Sequence, residues 1–141
     1  MSKKGPIILV DDDLDDKELF EDTLKEIGVN NRLVHFTHAE KAFEYLTTTK
    51  DQPFLIFSDV NLPVVRGLDF KRNIDADPQL RKKSIPFVFY STSVDQRSVN
   101  EAYTHMTVQG FFRKGNSIQE LKRDLKLVID YWMFCRHPNA E

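Results

Sequence analysis

A chain of 141 residues has the size of one domain and is too short for two ordinary ones. Its net charge of −2, from 20 basic and 22 acidic side chains, creates no long-range field toward nucleic acid or an anionic membrane. Cys135 is the only cysteine, which excludes an intramolecular disulfide; no apolar run follows Met1-Ser-Lys-Lys, and none is long enough to cross a bilayer, so a reducing cytoplasm is expected.

The first predicted element is the apolar run Ile7-Ile-Leu-Val10, a buried strand that stops at Asp11-Asp12-Asp13. A helix over Asp15 to Ile27 follows, with Leu19, Phe20, Leu24 and Ile27 at helical spacing, acids in its first turn and Gly28 as its stop. Arg32 to Phe36 reads as a second strand, and Ala39, Ala42, Phe43 and Leu46 mark a second helix. Pro53 to Phe57 is a third strand ending at Ser58-Asp59, Gly67 to Ile74 a short helix, and Pro86 to Tyr90 a fourth strand. Val94 to Met106 is expected to be helical and Gln109 to Arg113 a fifth strand. The last helix carries Ile118, Leu121, Leu125, Val128, Ile129 and Trp132 on one face. Five strands alternating with five helices describe a doubly wound α/β sheet, one domain over residues 1–141 with a core of about 6–134.

In such sheets ligands bind outside the carboxyl ends of the strands, where strand order reverses. Those ends carry Asp11, Asp12 and Asp13, then Asp59, then Ser91 and Thr92, then Lys114. Converging carboxylates repel, so a cation among them is expected. Oxygen-only donors without His or Cys suit Mg²⁺, which completes its shell with water and phosphate oxygens.

The ordered set Ile-Leu-Val10-Asp11-Asp12, Ser58-Asp59-Val-Asn61-Leu-Pro63 with Gly67-Leu68, Tyr90-Ser91-Thr92 and Gly110-Phe111-Phe112-Arg113-Lys114 resembles the receiver domain of two-component response regulators over nearly the whole chain. The resemblance implies a flavodoxin-like (βα)5 fold, and a switch rather than an enzyme with an external substrate. A phosphoryl group would pass from a histidine kinase or histidine phosphotransfer protein to Asp59. Asp12 would be a direct metal ligand, Asp11 would assist through water, and Asn61 would lend its backbone carbonyl. Lys114 would neutralise phosphoryl oxygens, with Ser91 and Phe111 as the switch pair. Asn61, Thr92 and Ser93 would tune dephosphorylation. Output would pass through the fourth-helix, fifth-strand and fifth-helix face, near Tyr103, Met106 and Phe112. Its recipient would be an unnamed protein target or a second copy, with neither nucleic acid nor membrane involved.

Each residue has a plainer reading. Asp11 to Asp13 fit a solvated turn, with Asp13 as the cap of the first helix, and Ser91-Thr92-Ser93 fit a cap for the next one. Lys114 would by default be a solvated charge and Phe111 a core residue. His35, His38, His105 and His137 lack the spacing of a zinc site. Two rivals remain: a Mg²⁺-dependent phosphatase with an Asp nucleophile, and a receiver that binds partners without phosphorylation. The first lacks the hydroxyl residue expected soon after Asp11-x-Asp13, where Leu14-Asp15-Asp16 stands; the second is left open by Gly115, where the receiver family usually carries Pro.

Overall fold

The computed structural model describes residues 2–92 and 94–138. Strands β1 (Ile7–Val10), β2 (Leu33–Phe36), β3 (Leu55–Ser58), β4 (Phe87–Ser91) and β5 (Gly110–Arg113) form one parallel sheet in the order β2-β1-β3-β4-β5. The helices are α1 (Leu14–Glu26), α2 (Ala39–Thr48), α3 (Gly67–Ala76), α4 (Pro78–Lys83), α5 (Gln96–His105) and α6 (Ile118–Phe134). Continuous apolar runs make β1, β3 and β4 buried throughout, while β2 and β5 are half-buried edges.

Strand alternation divides the core into two layers. Ile8, Val10, Ile56, Phe87 and Phe89 pack under α2, α3, α4 and α5, against Leu46, Phe70, Leu80 and Ala102. Ile7, Leu9, Phe57, Val88 and Tyr90 pack under α1 and α6, against Phe20, Leu24, Leu125 and Ile129. Each fully buried Phe or Leu contributes about 1.5–3 kcal/mol through loss of water contact. Order reverses between β1 and β3, and there the helices leave on opposite faces.

Helix α4 is the element that the sequence reading omits. Six residues are too few to show a helical period, yet its boundary chemistry is complete. Asp77 Oδ1 accepts from Gln79 N at 2.9 Å and Leu80 N at 3.1 Å, Pro78 opens the first turn, and Ser84 closes it with φ of 51°. The cap expected at Asp13 is present: its Oδ1 accepts from Asp15 N at 2.9 Å and Asp16 N at 3.2 Å.

Two further expectations need correction, and one contact adds to the fold. Leu19 and Ile118, assigned to apolar helix faces, are 40% and 54% exposed, because both lie at the open edge between α1 and α6. Tyr103, Met106 and Phe112 do not share one surface: Met106 is in the core beneath α5, and Phe112 stacks on Tyr90 on the other side of the sheet. His137 is buried, its Nε2 2.6 Å from the Phe54 carbonyl, so the segment after α6 is docked against the start of β3.

A buried ion pair fastens α3 to the segment before β5. Lys71, 3% exposed, donates to Asp75 Oδ1 at 2.9 Å and Thr107 Oγ1 at 3.0 Å, with its ammonium 5.0 Å from the Phe87 ring centre. Burial holds the Lys71 ammonium below its ordinary value. For Asp75, burial raises the carboxyl, but bonds from Thr107 and Lys71 outweigh that and hold it low. Asp75→Asn should therefore cost about 2 kcal/mol at pH 7, since Lys71 loses its counter-charge. The deficit should shrink as pH rises and Lys71, already depressed, gives up its proton. Urea titrations at neutral and alkaline pH check both the size and the sign.

Candidate functional site

Register places the acids side by side. Val10 pairs with Ser58, so Asp11 and Asp59 leave adjacent strands together, and Asp59 N donates to the Val10 carbonyl at 2.9 Å. Pairing of Ser91 with Arg113 likewise brings Lys114 to β4, where its amide donates to the Ser91 carbonyl at 2.8 Å. The loop after Asp59 closes on itself through Gly67 N, which donates to the Val60 carbonyl at 2.9 Å.

The Asp59 side chain is buried at the rim, with both oxygens engaged. Oδ1 accepts from Ser91 Oγ at 2.8 Å and from the Asn61 amide at 3.0 Å; Oδ2 accepts from Lys114 Nζ at 3.3 Å. The same ammonium donates to Asp11 Oδ2 at 2.7 Å and Asp16 Oδ2 at 2.9 Å. Asp11 is fixed further: its Oδ1 accepts from Asp13 N at 2.9 Å, and His35 Nε2 lies 2.7 Å from its carbonyl oxygen. Burial pushes the Asp11 carboxyl above its ordinary value despite the pull of Lys114. Burial alone would lower Lys114, but its bonds to Asp11 and Asp16 and the charges of Asp11 and Asp59 prevail and hold it above its ordinary value.

Lys114 is thus a cation among the acids, so charge balance alone does not demand a metal. The donor set does fit one. Asp11, Asp12 and Asp59 each offer a carboxylate oxygen, all within 4.8 Å of one another, and Asp12 is exposed and open to water. Such hard oxygen donors at an open rim match Mg²⁺.

The structure brings together Asp11, Asp12, Asp59, Asn61, Ser91 and Lys114. Thr92 is exposed at the mouth, lining a cavity of about 340 Å³ with Arg113, Lys114, Gly115, Asn116 and Glu120. Phe111 lies apart, half-buried in β5 with its ring 5.2 Å from that of Phe89. Ser93 falls outside the described residues. Asp16 and His35 escaped the sequence reading. Asp16 stands three residues after the cap Asp13, where an acid is explained by the helix dipole alone. His35 acts through a strand pairing that only the register reveals.

The chain matches the family model of the response regulator receiver domain over residues 7–126. It belongs to that family. Among the receiver's relatives are Rcp1 from Synechocystis sp., 25% identical over 90% of this chain and 88% of Rcp1, and the chemotaxis protein CheY1 from Helicobacter pylori, 28% identical over 87% and 95%. The crystal structure of the phosphorylated cyanobacterial phytochrome response regulator RcpA superposes with a TM-score of 0.84, at 26% identity, over 96% of this chain and 98% of that one. The five-stranded flavodoxin-like fold is that of the family. Receiver domains act in two-component signalling, are generally non-enzymatic, and bind Mg²⁺ at an acidic pocket; in this chain Asp11, Asp12 and Asp59 form an acidic cluster. Among the described residues no helix is long and apolar enough to cross a membrane.

Proposed function

We propose that this receiver accepts a phosphoryl group on Asp59 from a histidine kinase or histidine phosphotransfer protein, and that acceptance alters its affinity for another protein. The observation that carries this reading is the Asp59 carboxylate held at the rim between Ser91, Asn61 and Lys114, beside Asp11 and Asp12.

An Asp59 oxygen forms the new P–O bond while the donor's P–N bond breaks, its electron pair leaving with the imidazole nitrogen. The Ser91 hydroxyl and Asn61 amide hold Oδ1 and so orient the nucleophile, while Lys114 Nζ stands ready to neutralise charge on phosphoryl oxygens. When bound through Asp11, Asp12, Asp59 and the Asn61 carbonyl, Mg²⁺ would supply the rest of that neutralisation. Asn61, Thr92 and Ser93 control the approach of water to the acyl phosphate and hence its lifetime.

A dianionic group favours the state in which Ser91 and Lys114 close upon it, and movement of Phe111 carries that preference to α5, β5 and α6. Coupling of about 1–3 kcal/mol changes partner affinity severalfold. A partner finds an apolar stripe on α6, where Leu127, Tyr131 and Phe134 recur at helical spacing and are 59%, 62% and 90% exposed. The stripe serves a downstream protein or a second copy of the chain. A net charge of −2 gives no long-range attraction toward nucleic acid or an anionic membrane.

Incubation with acetyl phosphate and Mg²⁺ should add one labile phosphate, which mass spectrometry of the peptides should place on Asp59. No label, or a label elsewhere, overturns the proposal. Steady turnover of a small phosphate ester by the same sample would favour a phosphatase instead.

A further inference from the structure

Gly115 immediately follows the Lys114 ammonium that bridges three carboxylates, and nothing about its backbone angle calls for glycine. Among the described residues only Gly28 among the glycines has positive φ, and there is no cis peptide bond. The reason is space. A Cβ on Gly115 would fall onto Glu120 Oε2 and lie 2.6 Å from Glu120 Cβ. The Glu120 carboxylate therefore occupies the place of a side chain at 115, and it does so with bonds at both ends. Its Oε2 accepts from the Asn116 amide at 3.1 Å, and its own amide donates to Ser117 Oγ at 3.2 Å. This is a variant of the Ser-x-x-Glu capping box, reaching one residue further back than usual.

On the other side of Gly115, the Lys114 amide is anchored to the Ser91 carbonyl at 2.8 Å. Between that anchor and the first turn of α6 there are only two residues, Gly115 and Asn116, before the cap Ser117. We propose that Glu120 is a positioning residue for Lys114, its half-buried carboxylate strapping the turn after β5 to α6 in the space that glycine leaves. A proline ring at 115 would stiffen the turn from within; here a side chain five residues on stiffens it from outside. The two solutions exclude each other, because both need the same volume. This inference rests on the reading of Lys114 as the group that meets the phosphoryl oxygens.

The test pairs labelling by acetyl phosphate and Mg²⁺ with amide hydrogen exchange, both well below the thermal midpoints. Glu120→Ala should slow labelling about tenfold through misplacement of Lys114. It should also speed exchange at Asn116 and Lys114, while Glu120→Gln, which keeps an acceptor oxygen, should stay within about twofold of the parent on both readouts. Gly115→Ala should likewise slow labelling, and adding Glu120→Ala to it should cause little further loss, since one contact cannot be lost twice. Losses that multiply, or an unchanged rate and exchange pattern in Glu120→Ala, overturn the proposal. If the parent protein takes no phosphate at all, the function proposed above has failed, and exchange at Lys114 and Asn116 alone decides whether Glu120 holds the turn.

Discussion

Replacing Lys114 by Ala is expected to cost about 3–5 kcal/mol of stability in metal-free buffer, because it removes the cation from a largely buried ion cluster. The side chains of Asp11 and Asp59, 3% and 10% exposed, would then face each other without compensation. Because Lys114 is held above its ordinary value of 10.5, its contribution is complete below that pH and is lost only as pH rises beyond it, so the deficit is full at pH 7. Acidification should shrink the deficit: Asp11, already raised above 3.8 by burial, takes up a proton and no longer needs the ammonium. Two further readouts should move in opposite directions. Mg²⁺ should bind Lys114→Ala more tightly than the parent, since no ammonium competes for Asp11, and should restore much of the lost stability by mass action. On the proposed function, labelling of Asp59 should nonetheless fall about a hundredfold, because the group assigned to meet charge in the transition state is gone. Urea titrations with and without Mg²⁺ check the stability change; a variant as stable as the parent without metal would sink the charge argument.

Much of this site was legible because chemistry and topology are ordered the same way along the chain. The apolar runs ending at Asp11, Asp59, Ser91 and near Lys114 had to be parallel strands, and parallel strands deliver their carboxyl ends to one rim. Register then did what a list of residues cannot. It set Asp11 beside Asp59, and brought His35 on β2 under the Asp11 carbonyl. Contacts that depend on a turn's three-dimensional course stayed hidden: Asp16 reads as dipole compensation until Lys114 arrives from 98 residues away. Helix α4 was missed for want of length, although Asp77-Pro78 is a start signal in plain view. The face near Tyr103, Met106 and Phe112 failed because strand alternation sends Phe112 to one side of the sheet while Met106 fills the core on the other. Gly115 stands where the family usually carries Pro, and what takes up the space it leaves is invisible in the sequence: Glu120, five residues on, fills it.

Gly67→Ala should be the most damaging substitution of a residue that contributes no side chain to the site, costing about 3 kcal/mol as an overpacked contact. A Cβ there would fall onto the Asp59 carbonyl oxygen and lie 2.8 Å from Val60 Cα. Both neighbours are backbone, so no side chain can swing aside; the loop after β3 must open, and the bond from Gly67 N to the Val60 carbonyl must stretch with it. Asp59 sits at the hinge of that movement, which would draw its carboxylate away from Ser91 and Lys114 and slow labelling about tenfold or more. Gly28→Ala is the control. Gly28 has φ of +84° with nothing within 4 Å of an added Cβ, so its cost is backbone strain of about 1–2 kcal/mol, and it lies at the far end of α1 from Asp59. Stability should therefore fall in both variants, and labelling of the folded protein only in Gly67→Ala. Equal labelling in the two would mean that the close approach of α3 to Asp59 does not set the position of the acceptor.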